Sequence, residues 1–313
     1  MSSIASRLGS SIGGTMSHLR GGHSVAAVLD TQSVLIAESV LAAWRSKAPR
    51  SIAEAEFRVF SQWGEDGVIQ WLAMAIPEIS QSFVEIGVES YREANTRFLL
   101  THDHFRGVIV NAGDDHVRFT RSRGLDWRHD LDVVSAFVTK ENVNQIIASS
   151  GMAGKVGLFS LDLDGVDYWV LDALEVIQPQ IVVCEYNALF GSSAAVTVPY
   201  RPDFERMRAH HSGLYFGSSL AALDWLLEQR GYRLVGCTSS GVNAFWVHED
   251  AHADVPTSSV ENAFRRCGVR QARDAGGNLT YSRDLPPDVA ELPLIGVTDG
   301  RTTTVGALSG LHT

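Results

Sequence analysis

From Phe57 onward the chain alternates short apolar runs with amphipathic stretches, and no other feature constrains its fold as much. Strand signals fall at 82–88, 107–110, 156–163 and 181–185, and helix signals at 66–76, 93–102, 142–149 and 168–177; the run 133–138 reads either way. Strands separated by helices pair in parallel through right-handed crossovers. A further helix at 219–230 places Leu220, Leu223, Leu226 and Leu227 on one face and stops at Gly231. Two apolar runs follow at 232–237 and 244–247, around a turn rich in Ser, Gly and Asn. The expected fold is α/β: a doubly wound, mostly parallel Rossmann-like sheet finished by an antiparallel C-terminal hairpin.

That domain is placed at 57–250. Residues 1–28 are rich in Ser and Gly and contain no acid, which reads as a disordered leader. Its composition has something of an organelle transit peptide but lacks the apolar core of a secretory signal. Within 29–56, the span 31–47 sets Val34, Leu35, Ala37, Val40, Leu41 and Trp44 at helical spacing. Packing on the domain is the expected role of that helix, with contact in a homo-oligomer or a substrate lid as alternatives. Residues 251–313 lose periodicity and read as an irregular extension.

With 313 residues, 45% of them hydrophobic, the chain can bury a large core. A net charge of −10 disfavours nucleic acid and anionic membrane surfaces as main partners. Three widely spaced cysteines without a CxxC pair suggest neither a disulfide framework nor a zinc knuckle, so a reducing, cytoplasmic setting fits best. No apolar run approaches the roughly 20 residues of a membrane-spanning helix.

The chemistry concentrates at strand ends. Phe159-Ser-Leu-Asp-Leu-Asp-Gly-Val-Asp-Tyr-Trp169 and Ile181-Val-Val-Cys-Glu-Tyr-Asn187 each run from apolar residues into carboxylates and amides, as strands do where they line a polar cleft. Period-two alternation sends Asp162 and Asp164 to one side, and like charges that close need a cation, a proton or water. The competing reading is that these acids cap the next helix or pair at the surface. In Ser82-Phe-Val-Glu-Ile-Gly-Val-Glu-Ser-Tyr91, Glu85 sits beside a turn where Gly87 lets the backbone approach a cofactor. The dinucleotide fingerprint needs more glycines, so NAD is disfavoured. Asn111 ends the next strand, where an amide can accept a ribose hydroxyl. In Ser61-Gln-Trp-Gly-Glu-Asp-Gly67, Gln62 and Glu65 either fold over the cofactor site or belong to a helix cap. His210 and His211, among aromatics and glycines, are candidate general bases against the plainer reading of structural histidines.

Taken in order, Ser61-Gln-Trp-Gly-Glu-Asp-Gly67, Phe83-Val-Glu-Ile-Gly87, Asn95-Thr96, Leu161-Asp-Leu-Asp-Gly165 and Glu185-Tyr-Asn187 resemble class I S-adenosylmethionine-dependent methyltransferases, specifically the FkbM-like group. Val196-Thr-Val-Pro-Tyr200, Tyr215-Phe-Gly217 and Gly241-Val-Asn-Ala-Phe245 resemble a branch associated with glycan-synthesis genes. The resemblance covers about 57–250. It implies an O-methyltransferase acting on a sugar hydroxyl of a glycan or glycolipid precursor, with S-adenosylmethionine held by Gln62, Glu65, Glu85, Gly87, Asn111 and Asp162. By analogy with metal-assisted O-methyltransferases it also implies a divalent cation such as Mg²⁺ or Ca²⁺ at Asp164, Glu185 and Asn187, with Asp164 or His211 taking the proton. The alternatives are a metal-dependent hydrolase or transferase on the same fold, and a non-catalytic module that binds a glycan or a partner.

Overall fold

The computed structural model describes residues 25–269, 272–280 and 285–308. The chain divides into two units, Met1–Ser46 and Lys47–Thr313. The described part of the first holds helix α1 (Val25–Trp44), which starts ahead of the expected position 31. The leader read from the sequence lies outside the described residues as far as 24. Among the described residues no helix is long and apolar enough to cross a membrane.

The second unit is built on β1 (Ser82–Ile86), β2 (Arg106–Asn111), β3 (Leu131–Ser135), β4 (Gly154–Leu161), β5 (Ile177–Glu185), β6 (Val196–Thr197), β7 (Tyr232–Cys237), β8 (Asn243–His248), β9 (Pro293–Gly296) and β10 (Thr302–Thr304). Seven strands form one sheet in the order β3-β2-β1-β4-β5-β8-β7. The first five pair in parallel, in the 3-2-1-4-5 order of a doubly wound fold. β8 then inserts antiparallel between β5 and β7. The C-terminal hairpin expected at 232–247 is therefore present, and its second strand, not its first, meets the parallel sheet. β1, β2 and β4 and the second half of β5 are largely apolar and buried, as expected of strands covered on both faces.

Helix α2 (Glu65–Ala75) precedes β1, and between the strands lie α3 (Arg97–Thr101), α4 (Asp115–Arg123), α5 (Val143–Ser149), α6 (Asp167–Ala173), α7 (Arg206–Ala209) and α8 (Leu220–Glu228). Two boundaries differ from the sequence reading for identifiable reasons. The helix expected at 93–102 shrinks to α3 because the backbone N–H groups of Asn95 and Thr96 are drawn to the Glu85 carboxylate. The helix expected at 168–177 stops early because Asn144 Oδ1 accepts from the N–H groups of Glu175 and Val176, at 2.8 and 3.0 Å, and β5 begins at Ile177. Where periodicity fades beyond 250, β9 still pairs antiparallel with β6 on one side and β10 on the other in a small sheet.

Candidate functional site

All five parallel strands point their carboxyl ends at one cleft of about 800 Å³, which lies where the order reverses between β1 and β4. The cleft has two arms. The first is lined by Gly87 after β1, Asn111 and Ala112 at the end of β2, and Phe137 after β3. The second is lined by Asp162, Asp164, Glu185, Arg206 and Asn243, from the ends of β4 and β5, from α7 and from the start of β8.

Gly87 is required by geometry, though not in the way its position suggests. Its φ is +89°, and an added Cβ would sit 1.5 Å from the Asp162 carbonyl oxygen. The glycine thus lets the turn after β1 meet the tip of β4, and the close approach is to the protein's own backbone. Glu85 lines the cleft, yet its carboxylate accepts from the N–H groups of Asn95 and Thr96, at 2.9 and 3.1 Å, and from the Thr96 hydroxyl. Burial pushes its pKa up to about 7 against those bonds. Glu85 therefore organises the 87–96 loop that walls the cleft.

The second arm concentrates charge. Asp162, Asp164 and Glu185 each bring one carboxylate oxygen within 4.8 Å of the others. Loss of hydration holds Asp162 and Glu185 well above the usual carboxylate range, and the neighbouring acids add to it. Each carboxylate makes ionisation of the other harder, because like charges stand close together. Glu185 is 7% exposed, and its Oε2 has no hydrogen-bond partner. Asp164 has a φ of +54°, a left-handed conformation that Asp tolerates better than most residues, and it pairs with Arg206 Nη1. Arg206 is itself held by Nε donating to the Gly213 carbonyl, at 2.7 Å, and by stacking over Phe216, 3.5 Å from the ring centre. Asp167 belongs to a different role. It is buried and accepts from the N–H groups of Leu163 and Gly165, at 2.6 and 3.0 Å, fixing the loop that carries Asp164.

Of the residues singled out from the sequence, Gln62, Glu85, Gly87, Asn111, Asp162, Asp164 and Glu185 meet in the cleft. Glu65, Asn187 and His211 are not among its lining residues. Glu65 is fully buried, accepting from the Trp63 N–H and, at 2.8 Å, from Asn243 Nδ2, which does line the cleft. Asn187 is buried with its amide spent on backbone: Nδ2 donates to the carbonyls of Leu214 and Phe216 and Oδ1 accepts from the Leu189 N–H. His211 is exposed, with its ring tilted against that of His210. Sequence reasoning missed Arg206, which pairs with an acid 42 positions away and stands in no recognisable pattern. It also missed Phe137 and Trp63, although a large apolar side chain in a polar loop is a legible signal.

No family model matches the sequence, and no curated protein matches it. Among solved structures the chain is similar to the pyocyanin biosynthetic protein PhzM, at 12% identity and a TM-score of 0.34 over 57% of this chain and 54% of that one. It is also similar to PKMT2 from Rickettsia typhi in complex with AdoHcy, at 10% and 0.38 over 64% and 54%. A third is an O-methyltransferase family protein from Burkholderia thailandensis, at 11% and 0.36 over 66% and 60%. The chain thus spans about half the length of the first two. At these scores the chemistry has to be read from the side chains themselves.

Proposed function

We propose that this chain is an S-adenosylmethionine-dependent O-methyltransferase that acts on a sugar hydroxyl of a glycan or glycolipid precursor. The observation that carries the reading is the close set of Asp162, Asp164 and buried Glu185 at the tips of adjacent parallel strands lining the cleft, with one Glu185 oxygen unpartnered. A carboxylate with no hydrogen-bond donor of its own is costly unless a ligand supplies one. An acceptor hydroxyl does so, and the same oxygen can then take its proton as a general base.

The first arm fits the cofactor. S-adenosylmethionine, when bound, supplies an electrophilic methyl group on a positively charged sulfur, and the cleft's acids suit a cationic ligand. Asn111 offers its amide to the ribose hydroxyls. Phe137, 46% exposed after β3, presents an aromatic face to the adenine. Asp162 and Gln62 stand where the methionine portion lies, while Glu85 and Glu65 act by fixing the 87–96 loop and Asn243. Asp162, Asp164 and Glu185 are all hard oxygen donors, so this trio, without Asn187, would hold a Mg²⁺ or Ca²⁺ that acidifies a diol. Arg206 supplies the countercharge to Asp164 in this structure and would have to yield it.

The test is incubation of the purified chain with radiolabelled S-adenosylmethionine and a panel of glycan and glycolipid acceptors, with Mg²⁺ or with a chelator. Label transfer that is lost in Glu185→Gln is expected. No binding of S-adenosylmethionine at millimolar concentration sinks the proposal, and turnover of an acceptor without the methyl donor would select a metal-dependent hydrolase or transferase instead.

A further inference from the structure

Outside the cleft the described residues hold a second convergence of ligand-type side chains, and its chemistry differs from that of the acid trio. His210 and His211 follow α7 with ring centroids 4.3 Å apart. Asp288, in the short helix Pro287–Ala290, places Oδ2 3.0 Å from His210 Nε2. One donor atom from each of the three lies within 4.8 Å of the others. Two imidazoles and one carboxylate form a borderline ligand set, which suits Zn²⁺ and not the oxygen-seeking Mg²⁺ or Ca²⁺. The other ring nitrogen of His210, Nδ1, lies 2.8 Å from Ser212 Oγ and accepts from the Ser212 N–H at 3.2 Å, so two contacts from Ser212 fix the orientation of the ring. The His210 side chain is 11% exposed, so its ring is already held, whereas Asp288 is 57% exposed and His211 is open to solvent. An ion therefore has an entry path and a fourth position for water.

We propose that His210, His211 and Asp288 bind Zn²⁺ in a four-coordinate site completed by water, stapling the 210–213 loop to the C-terminal segment. On binding, the Nε2 lone pair and the Asp288 carboxylate go to the metal. The single proton of neutral His210 moves from Nε2 to Nδ1 through solvent with no net release, and it donates there to Ser212 Oγ in place of the Ser212 N–H that Nδ1 accepts at 3.2 Å. The staple bears on the cleft through backbone contacts. Gly213 lines the cleft and its carbonyl accepts from Arg206, the partner of Asp164. Arg273, also at the cleft, donates its N–H to the Ser212 carbonyl at 3.0 Å. Zn²⁺ here positions the wall that carries Arg206 and takes no part in bond making.

The test is calorimetric titration of the untagged full-length chain, stripped by a chelator, with Zn²⁺ alone. One ion per chain is expected, with His211→Ala and Asp288→Ala each weakening binding at least about tenfold and His211→Ala leaving the melting temperature of the metal-free protein unchanged. Co²⁺ in place of Zn²⁺ should give the visible absorption of a tetrahedral site in the wild type and not in His211→Ala. Asp164→Ala should leave Zn²⁺ affinity intact, so a failed methylation assay and a failed metal site remain distinguishable. Absence of stoichiometric binding at micromolar Zn²⁺, or binding that survives both substitutions, overturns the proposal in favour of a hydrogen-bonded cluster without metal.

Discussion

Asp164 and Asp167 share one loop but answer to different constraints. Asp167 is buried and holds two backbone N–H groups, so Asp167→Ala should cost about 1–3 kcal/mol in urea denaturation. Asp164 is half exposed and pairs with Arg206, so Asp164→Ala should shift stability by no more than about 1 kcal/mol. Its effect should fall on turnover instead, measured as kcat with an acceptor that takes the label in the proposed assay. The sequence showed that the acids cluster but not which of them faces the cleft, because period-two alternation ends where β4 ends and the turn decides. Arg206 was illegible for a related reason: its partner is chosen by how α7 folds back, and nothing near it in sequence records that.

At the scale of elements, the strands were legible because buried parallel strands must be apolar along their whole length, and 232–237 was read with the bounds that β7 has. Failures fell where a tertiary contact overrode a local signal. β5 extends back to Ile177 through Gln178, Pro179 and Gln180, residues that weaken a strand signal. Gln180 is nonetheless buried, with its amide bonded to the Ser80 N–H and the Glu78 carbonyl. The tip of the same strand is tied to the 214–216 segment by the Asn187 amide. Asn187→Ala leaves the Leu214 and Phe216 carbonyls without that donor, and a loss of about 2–3 kcal/mol is expected, read as a lower urea midpoint with an unchanged m-value.

For the molecule as a whole, buried acids make stability depend on pH with an unusual sign. Burial raises Asp66 from 3.8 to about 6 and Glu85 from 4.5 to about 7, and the Asp162 and Glu185 pair moves in the same direction. Each group holds its proton more tightly folded than unfolded. The stability this contributes is complete below the unfolded values and is lost as pH rises through the folded ones. Glu85 alone accounts for roughly 3 kcal/mol of that decline. The melting temperature should therefore fall between about pH 5 and pH 8, and Glu85→Gln, which cannot titrate, should flatten the profile whatever it does to the absolute midpoint. The insertion of β8 between β5 and β7 also sets the order in which the sheet can be finished. β7 leaves the ribosome first but, among the described residues, finds its only strand partner in β8, and until β8 arrives the buried run Ile181 to Glu185 has an open edge. A chain truncated near position 240 would thus expose two sticky strands at once and depend on chaperones to stay out of aggregates.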